Sequence, residues 1–396
     1  MSLRYSDSRG DDSFLSTKWE IENKKAYIIL TESQSNVQSI LDYPFPLSQE
    51  KEEYSSSQIF LFKNRFYSRE DHCYNITLGD ERCGIIFPLK IFDNTNQLPT
   101  PGTDKSTLFL YRFFHIAFYH LFNDESLPSN SIGFEKLVSN ELRVTDFYDE
   151  ETVVFLLHDP KKIIPNIKNI YPSMFKYGYV PILSTLDFSE ILMINLEPKN
   201  NPFYNLNFLD SISVKSSTII SENFIEQIFS SILKFHLNPL SKFILLYQVI
   251  ELLIDRIAYE YYQKNILSIS SISISLDEVN KAQSFRRINS KLKVVQKKLE
   301  TSIENIKTEE KRINILINER CKLQLINYNL FTSLAQNVIG NTVHCSTLPE
   351  FIYQLRNKIV HDYHNLTSEH TNIETTMNNL NLEFEKVISD IIINYK

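Results

Sequence analysis

The segment Leu355-Arg356-Asn357-Lys358-Ile359-Val360-His361-Asp362-Tyr363 lies in a region whose pattern predicts a helix. No Gly or Pro interrupts the segment, and Pro349 suits the first turn of such a helix. Apolar residues recur beside it at helical spacing: Phe351, Ile352, Leu355, Ile359 and Val360. An Arg, an Asn and a His therefore stand next to a stripe that we expect to be buried.

Helical geometry decides which of these polar residues can meet. Asn357 and His361 lie one turn apart on one face, and His364 follows on that face. At about 100° per residue, Arg356 points about 140° away from His361. Arg356 and His361 can therefore converge only at an edge of the helix, or across a second copy of it.

The spacing Arg-Asn-x-x-x-His resembles the signature of the HEPN superfamily, all-α domains many of which are metal-independent ribonucleases. The longer pattern Arg356-x4-His361-x-Tyr363 resembles that of the HEPN toxins paired with minimal nucleotidyltransferases. Upstream, Phe243-Ile-Leu-Leu-Tyr-Gln-Val-Ile-Glu251 resembles the first long helix of the Apea-like HEPN group. The resemblance covers residues 221–396 and implies a helical domain there. It does not extend to the first half of the chain.

The resemblance also implies roles for individual residues. Related HEPN ribonucleases place two such helices across a two-fold axis, and each protomer gives one Arg and one His to a shared cleft. His361 would be the general base or acid, Arg356 would stabilise the phosphorane, and Asn357 would orient the imidazole or bond the phosphate. Tyr363 occupies the position that is adenylylated in the nucleotidyltransferase-paired toxins. Weaker candidates for supporting groups are His364, Glu251 and Asp255.

These residue types suit RNA cleavage because RNA carries its own nucleophile, the 2′-hydroxyl beside each phosphate. A histidine titrating near neutral pH can remove or return a proton. An arginine offers a fixed fork of donors to phosphate oxygens. We expect no cofactor and no metal: the chain has no acidic ligand cluster and no G-x-x-x-x-G-K-[ST] loop, and His361 with His364 lacks a third ligand at characteristic spacing.

The predicted function is a metal-independent endoribonuclease that leaves 2′,3′-cyclic phosphate ends and works on RNA as a homodimer joined through the C-terminal domain. By analogy with the family, it would be a toxin or an effector of anti-phage defence, with an antitoxin or regulatory partner. One alternative is a catalytically inactive HEPN module that binds nucleic acid or nucleotide, or mediates assembly. In another, the N-terminal domain senses a phage component or a nucleotide signal.

Length and composition favour a globular protein of two domains. The chain has 396 residues, of which 42% are hydrophobic and 22% charged, with a net charge of −7. The acidic excess lies in the first 220 residues, which argues against a nucleic-acid surface there. Met1–Asp12 lacks the apolar run of a signal peptide, and Leu108–Phe122 is too short and too charged to span a membrane. We expect a cytoplasmic protein whose four cysteines, none in a C-x-x-C pair, are reduced thiols.

The predicted fold class is α+β. Residues 1–205 alternate short β-like runs with turns and predict a domain with a largely antiparallel sheet, after a frayed segment at residues 1–17. Helices are predicted at Ser106–Phe122 and Phe134–Ser139. The predicted strands are Ala26–Leu30, Ile59–Tyr67, Cys73–Leu78, Cys83–Ile91, Thr152–Leu157 and Ile191–Leu196.

A polar connection at residues 200–220 predicts the domain boundary, and residues 221–396 form the predicted HEPN-like helical domain, with an insertion at about residues 268–320. A single polar helix is expected from Glu278 to about Asn318. Its first half, Lys281–Lys298, contains seven basic residues and no acidic one. Arg286, Arg287, Lys291 and Lys293 would contact an RNA backbone, or form the solvated face of a helical hairpin.

Overall fold

The computed structural model describes the chain except for residues 1–2, 7–11, 24, 33–34, 46–55, 67–72, 94–104, 140, 159–165, 207–209, 220–222, 271–281, 341 and 370–371. The chain divides into two compact units, Met1–His236 and Leu237–Lys396. The first unit contains strands and helices, and the second is helical, which confirms the α+β prediction. Within these described ranges, no helix is long and apolar enough to cross a bilayer.

The strands of the first unit form two sheets. Their bounds are β1 Arg4–Ser6, β2 Asp12–Glu22, β3 Lys25–Glu32, β4 Gln38–Asp42, β5 Ser57–Asn64, β6 Tyr74–Leu78, β7 Glu81–Pro88, β8 Ser131–Gly133, β9 Thr152–His158, β10 Tyr179–Pro181 and β11 Ser211–Val214. One sheet has the order β4-β3-β2-β1-β8, and the other has the order β10-β5-β9-β7-β6-β11. All neighbours are antiparallel except β1 with β8 and β6 with β11. The largely antiparallel sheet is therefore confirmed.

The helices of the first unit are short apart from the first. Their bounds are α1 Lys105–Asn123, α2 Phe134–Ser139, α3 Val144–Phe147, α4 Tyr171–Lys176, α5 Asp187–Glu190 and α6 Asn223–Gln227, which continues as a π-helix, Ile228–Ile232. Short 3-10 helices lie at Leu89–Phe92, Ile167–Ile170 and Pro198–Asn200. The apolar face of α1 packs into an aromatic cluster in which the ring centroid of Phe114 lies 4.7 Å from that of Phe87. The two predicted helices are thus found at Lys105–Asn123 and Phe134–Ser139.

Two predictions for the first unit are wrong. Residues 12–17 are not frayed, because they belong to β2, which pairs with β3 from Leu15–Glu32 to Glu22–Lys25. The hairpin turns at Asn23, whose φ of 53° is tolerated well by Asn. Ile191–Leu196 forms no strand and makes only an isolated bridge, between Ile194 and Phe66. Its backbone N–H groups are satisfied by single carbonyls instead, as in the bond from Leu192 N to Lys234 O.

The boundary between the units lies later than predicted, after His236 rather than between residues 205 and 221. Within the predicted polar connection, β11 adds a strand beside β6. The following helical segment is also buried in the first unit, where the Phe229 ring packs 5.2 Å from that of Phe175. The Lys234 ammonium pairs with the Asp187 carboxylate at 2.6 Å, with both side chains almost fully buried. A buried pair of this kind anchors the segment in the first unit.

The second unit is built from helices around one apolar core. Their bounds are α7 Pro239–Ser270, α8 Ala282–Ile306, α9 Glu309–Asn314, which continues as a π-helix Ile315–Arg320, α10 Asn329–Ile339, α11 Leu348–Glu369 and α12 Ile373–Asn394, with a 3-10 helix at Leu325–Tyr328. α12 packs on α7 and α10, while α11 packs on α9 and α10. At the centre, the Phe384 ring stacks between those of Phe243 and Phe331, at 5.2 and 5.5 Å. α10 ends at Gly340, where φ is +90°.

The single helix expected across the second half of the predicted insertion, residues 268–320, is wrong. The helix expected from Glu278 to Asn318 breaks at Lys307-Thr308, where the Thr308 hydroxyl caps α9 by accepting a bond from Lys311 N. Ile313, Leu316 and Ile317, which follow the break, are buried in the core of the unit. One face of the segment 309–320 therefore packs into the core of the unit, and α8 packs on α7. The insertion itself stays a prediction.

Candidate active site

The candidate site lies on α11, whose start follows from the local sequence. Glu350 accepts hydrogen bonds from the backbone N–H groups of Ser346, at 2.6 Å, and Thr347, at 3.1 Å. The bond from Ser346 N is the main reason that the pKa of the Glu350 carboxyl is lowered. The Thr347 hydroxyl accepts a bond from Glu350 N in return, which completes a capping box. Pro349 then lies in the first turn, as the sequence predicts.

The predicted apolar stripe of α11 is mostly buried. Ile352, Leu355 and Ile359 face the core, whereas Val360 is exposed. Arg356 and Asn357 are half-buried beside this stripe, and the side chain of His361 is exposed. The helix therefore presents its polar residues at the border between the core and the solvent, where a large ligand can reach an imidazole.

Arg356 and His361 of the same chain meet at this edge. Nη1 of Arg356 lies 3.4 Å from Nε2 of His361 and donates a hydrogen bond to Oδ1 of Asn357 at 3.2 Å. The long arginine side chain spans the angle of about 140° between the two positions. Of the two arrangements expected from the helix, the contact at one helix edge is the one observed. A second copy is not required to bring these two residues together.

The contact has a consequence for the imidazole. A guanidinium can only donate hydrogen bonds, so this contact is a hydrogen bond only when Nε2 of His361 carries no proton and accepts. A neutral imidazole meets this condition when its proton is on Nδ1. The Nε2 lone pair is then on the side of the guanidinium, where an oxygen bound to Arg356 would also lie. The arrangement suits proton removal from a group held against Arg356.

Two residues from other helices, Glu309 and Tyr247, lie beside Arg356, and together with Arg356, Asn357 and His361 they form the cluster at the candidate site. Oε1 of Glu309, in the first turn of α9, lies 3.7 Å from Nε of Arg356. The same oxygen accepts a hydrogen bond from the Tyr247 hydroxyl on α7 at 2.5 Å. The Arg356 guanidinium carbon lies 5.9 Å from the centroid of the Tyr247 ring, within the range of a cation–π contact. Three helices therefore converge on Arg356.

The electrostatics of Tyr247 keep its hydroxyl protonated. Burial is the largest cause that raises the pKa of Tyr247, and the hydrogen bond to the Glu309 carboxylate raises it further. The charge of Glu251, one turn away on α7, acts in the same direction, while that of Arg356 lowers this pKa. Tyr247 is therefore a hydrogen-bond donor to Glu309 over the whole physiological pH range.

Of the predicted supporting residues, Glu251 acts on the candidate site and Asp255 pairs elsewhere. Glu251 is half-buried and acts on Tyr247 through its charge. Asp255 is exposed, and its carboxylate lies 3.6 Å from Nη1 of Arg312. Arg312 is not one of the described residues that hydrogen-bond or pair with Arg356, so this ion pair does not link Asp255 to the candidate site. Tyr363 and His364 lie on α11, and their side chains are outside the described residues.

The predicted RNA-contacting residues lie on α8. The side chains of Arg286, Arg287 and Lys291 are outside the described ones, and that of Lys293 is exposed. α8 packs on α7 and α9, the two helices that carry Tyr247 and Glu309 of the candidate site. An exposed Lys293 fits either expectation, a contact with an RNA backbone or a solvated helical face.

Tyr247 and Glu309 were not predicted from the sequence. Tyr247 is part of the Phe243–Glu251 segment, but its position on the buried side of α7 is typical of an ordinary core aromatic. Glu309 was expected in the middle of a long polar helix. The available signal was Thr308 followed by two glutamates, a common pattern at a helix start. A break at that point would have moved Glu309 to a helix N-terminus in the core.

Comparison of the chain with protein-family models, with curated proteins and with solved structures finds no match. The function is therefore inferred from the residues themselves. Among the described residues, no three His, Cys, Asp or Glu side chains are grouped as a metal site would need. What the cluster offers is a half-buried guanidinium held by a carboxylate, an amide that accepts from it, and an exposed imidazole in contact with it.

Proposed function

We propose that the second unit is an endoribonuclease of HEPN type that needs no metal ion. The observation that supports this most directly is the contact of 3.4 Å between Arg356 Nη1 and His361 Nε2 at an exposed helix edge. The general base and the phosphate-binding group of such a reaction must act on the same phosphodiester, and these two side chains are adjacent. The Arg-Asn-x-x-x-His motif contributes the family resemblance.

The reaction would proceed through the 2′-hydroxyl of RNA. Arg356 binds the scissile phosphate and stabilises the charge of the phosphorane. His361 removes the 2′-proton through Nε2, and the 2′-oxygen attacks the phosphorus. The bond from phosphorus to the 5′-oxygen breaks, and a proton delivered by an imidazolium, or by water, neutralises the leaving oxygen. The products carry a 2′,3′-cyclic phosphate and a 5′-hydroxyl. Asn357 restrains the guanidinium through its Oδ1.

The biological role and the assembly are further parts of the proposal, and they rest on the family resemblance. The protein would act in the cytoplasm as a toxin or an anti-phage effector, under the control of an antitoxin or regulatory partner. It would be a homodimer that brings a second Arg356–His361 pair to a shared cleft. Because the pair is already formed within one chain, mixing Arg356→Ala and His361→Ala chains should not restore full activity. Light scattering at the assay concentration should show a dimer, and an active monomer would contradict this part.

The proposed activity is tested by incubating RNA with the protein in excess EDTA. The wild-type protein should cleave, and Arg356→Ala and His361→Ala should each lose about 10²- to 10⁴-fold in rate. His344→Ala is the matched control, since it removes another exposed histidine of the same unit. Absence of cleavage by the wild type, or equal cleavage by the wild type and both site variants, would refute the proposal.

A further inference from the structure

We propose that Glu309 and Tyr247 act as a positioning pair that holds the Arg356 guanidinium in its orientation toward His361. The catalytic consequence of this inference rests on the ribonuclease function proposed above, whereas the positioning itself does not. Neither residue belongs to the motif on α11. Each reaches Arg356 from a different helix of the second unit.

The guanidinium is held on two sides. Its Nε atom is buried and has no hydrogen-bond partner among the described residues, and the Glu309 carboxylate at 3.7 Å is its counter-ion. The Tyr247 ring lies at 5.9 Å from the guanidinium carbon. These contacts are made by the Nε edge and by the ring, and they leave Nη1 for Asn357 and His361. A free arginine side chain would lose conformational entropy on adopting this one geometry, and contacts already made in the folded protein remove that loss from the binding step.

Glu309 is itself fixed in place. It belongs to the first turn of α9, where a negative charge is favoured by the helix dipole, and the preceding Thr308 caps that helix. The Tyr247 hydroxyl, which stays protonated, donates to the same carboxylate oxygen that is nearest to Arg356. The Tyr247 hydroxyl therefore fixes the position of the Glu309 carboxylate, and the carboxylate in turn restrains Nε of Arg356. The chain of contacts runs from α7 through α9 to α11.

The Glu309 carboxylate should have opposite effects on the two steps: it disfavours RNA binding and favours cleavage of the bound RNA. A carboxylate close to Arg356 repels a phosphate that approaches the guanidinium, so Glu309 should not favour RNA binding. Its value would lie in the orientation of Arg356 when the phosphorane forms. Loss of Glu309 should therefore slow cleavage while RNA binds as tightly as before, or more tightly. A substitution that only destabilised the fold would not tighten binding.

The first experiment compares Glu309→Gln with Glu310→Gln. Both residues are in the first turn of α9, so both variants lose the same interaction with the helix dipole, but Glu310 is exposed. Single-turnover cleavage should be about 10- to 100-fold slower in Glu309→Gln and within about twofold of wild type in Glu310→Gln. The dissociation constant for a 2′-O-methyl RNA of the same sequence should be unchanged or lower in Glu309→Gln. Equal rates in the two variants, or binding weakened in step with the rate, would overturn the proposal.

A second comparison asks whether Glu309 acts through Arg356. Arg356→Lys keeps the positive charge and removes the Nε atom that faces Glu309. Adding Glu309→Gln to Arg356→Lys should slow cleavage by less than about twofold, because contacting groups are not additive. The same additional loss in both backgrounds would show that Glu309 acts independently of Arg356, against the proposal.

A third measurement is independent of cleavage. The Nε–H NMR signal of Arg356, assigned by its disappearance in Arg356→Lys, should exchange slowly with water in the wild type and in Glu310→Gln. It should exchange rapidly in Glu309→Gln. If wild-type protein cleaves no RNA, the ribonuclease proposal fails, but this measurement still decides the positioning. Slow exchange retained in Glu309→Gln would overturn the positioning even if the protein is an active nuclease.

Discussion

Replacing Phe384 with Ala is expected to destabilise the second unit by about 3–5 kcal/mol, because the side chain lies at the centre of its core. Phe384 is fully buried, and its ring stacks on those of Phe243 and Phe331. Loss of the ring removes its buried apolar area and leaves a cavity between α7, α10 and α12. Phe384→Leu retains most of that area but loses both aromatic pairs, each contributing about 0.5–1.5 kcal/mol.

Urea unfolding measures this effect, with the helical signal at 222 nm reporting on the second unit. For an unfolding slope of about 2 kcal/mol per molar urea, Phe384→Ala should lower the midpoint of the helical transition by about 2 M. Phe384→Leu should lower it by about 0.5–1.5 M on the same slope. Trp19, the single tryptophan of the chain, lies in β2 of the first unit, so its fluorescence provides a separate signal from that unit.

The control is Tyr262→Ala, which removes a half-exposed aromatic ring from α7 of the same unit. A surface substitution of this kind should change stability by no more than about 0.5 kcal/mol. A helical transition that moves equally in Phe384→Ala and Tyr262→Ala would refute the assignment of Phe384 to the core. So would a destabilisation of less than about 1 kcal/mol in Phe384→Ala.

Two further predictions concern the surface of α8 and the start of α11. Changing Arg286, Arg287, Lys291 and Lys293 to Gln should lower the slope of log affinity against log salt by about 0.7 for each phosphate of single-stranded RNA that is no longer neutralised; an unchanged slope in a binding titration would assign these residues to a solvated face. The pKa of Glu350 is lowered in the folded chain, so its stabilising effect is present above the unfolded pKa of about 4.3 and is lost as the pH falls through the folded value. Wild type should be more stable than Glu350→Gln in urea unfolding at pH 7, and the difference should disappear toward pH 3; a difference that stays constant with pH would contradict this cause.

The fold could be predicted from the sequence where a segment carries its own periodicity. The apolar pattern of residues 106–122 predicted α1 to within one residue at each end. Residues 191–196 are equally apolar and still form no strand, because single contacts such as Leu192 N to Lys234 O satisfy the backbone instead. β2 was missed since Asp12–Glu22 is largely polar and its strand is defined by pairing with β3. Pairing partners are a tertiary property that a local pattern does not contain.

The candidate site also has features that the sequence predicts and features that depend on tertiary packing. The spacing of Arg356, Asn357 and His361 on one helix follows from the sequence, as does the position of Pro349 in the first turn of α11. The side-chain geometry that brings the Arg356 guanidinium to His361 could be given only as one of two possibilities. Glu309 and Tyr247 are far from the motif in sequence and reach Arg356 through the packing of three helices, so no local pattern indicated their contact with Arg356.

We propose above that the Arg356–His361 pair cleaves RNA through its 2′-hydroxyl. The most direct test uses an RNA oligonucleotide with one mapped cleavage position, and the same oligonucleotide with a single 2′-deoxy sugar at that position, both in excess EDTA. We predict that the wild-type protein cleaves the all-RNA strand to a 2′,3′-cyclic phosphate end and leaves the deoxy position intact. His361→Ala should cleave the all-RNA strand about 10²- to 10⁴-fold more slowly. Cleavage at the deoxy position, or a cyclic phosphate product formed by His361→Ala at the wild-type rate, would contradict it.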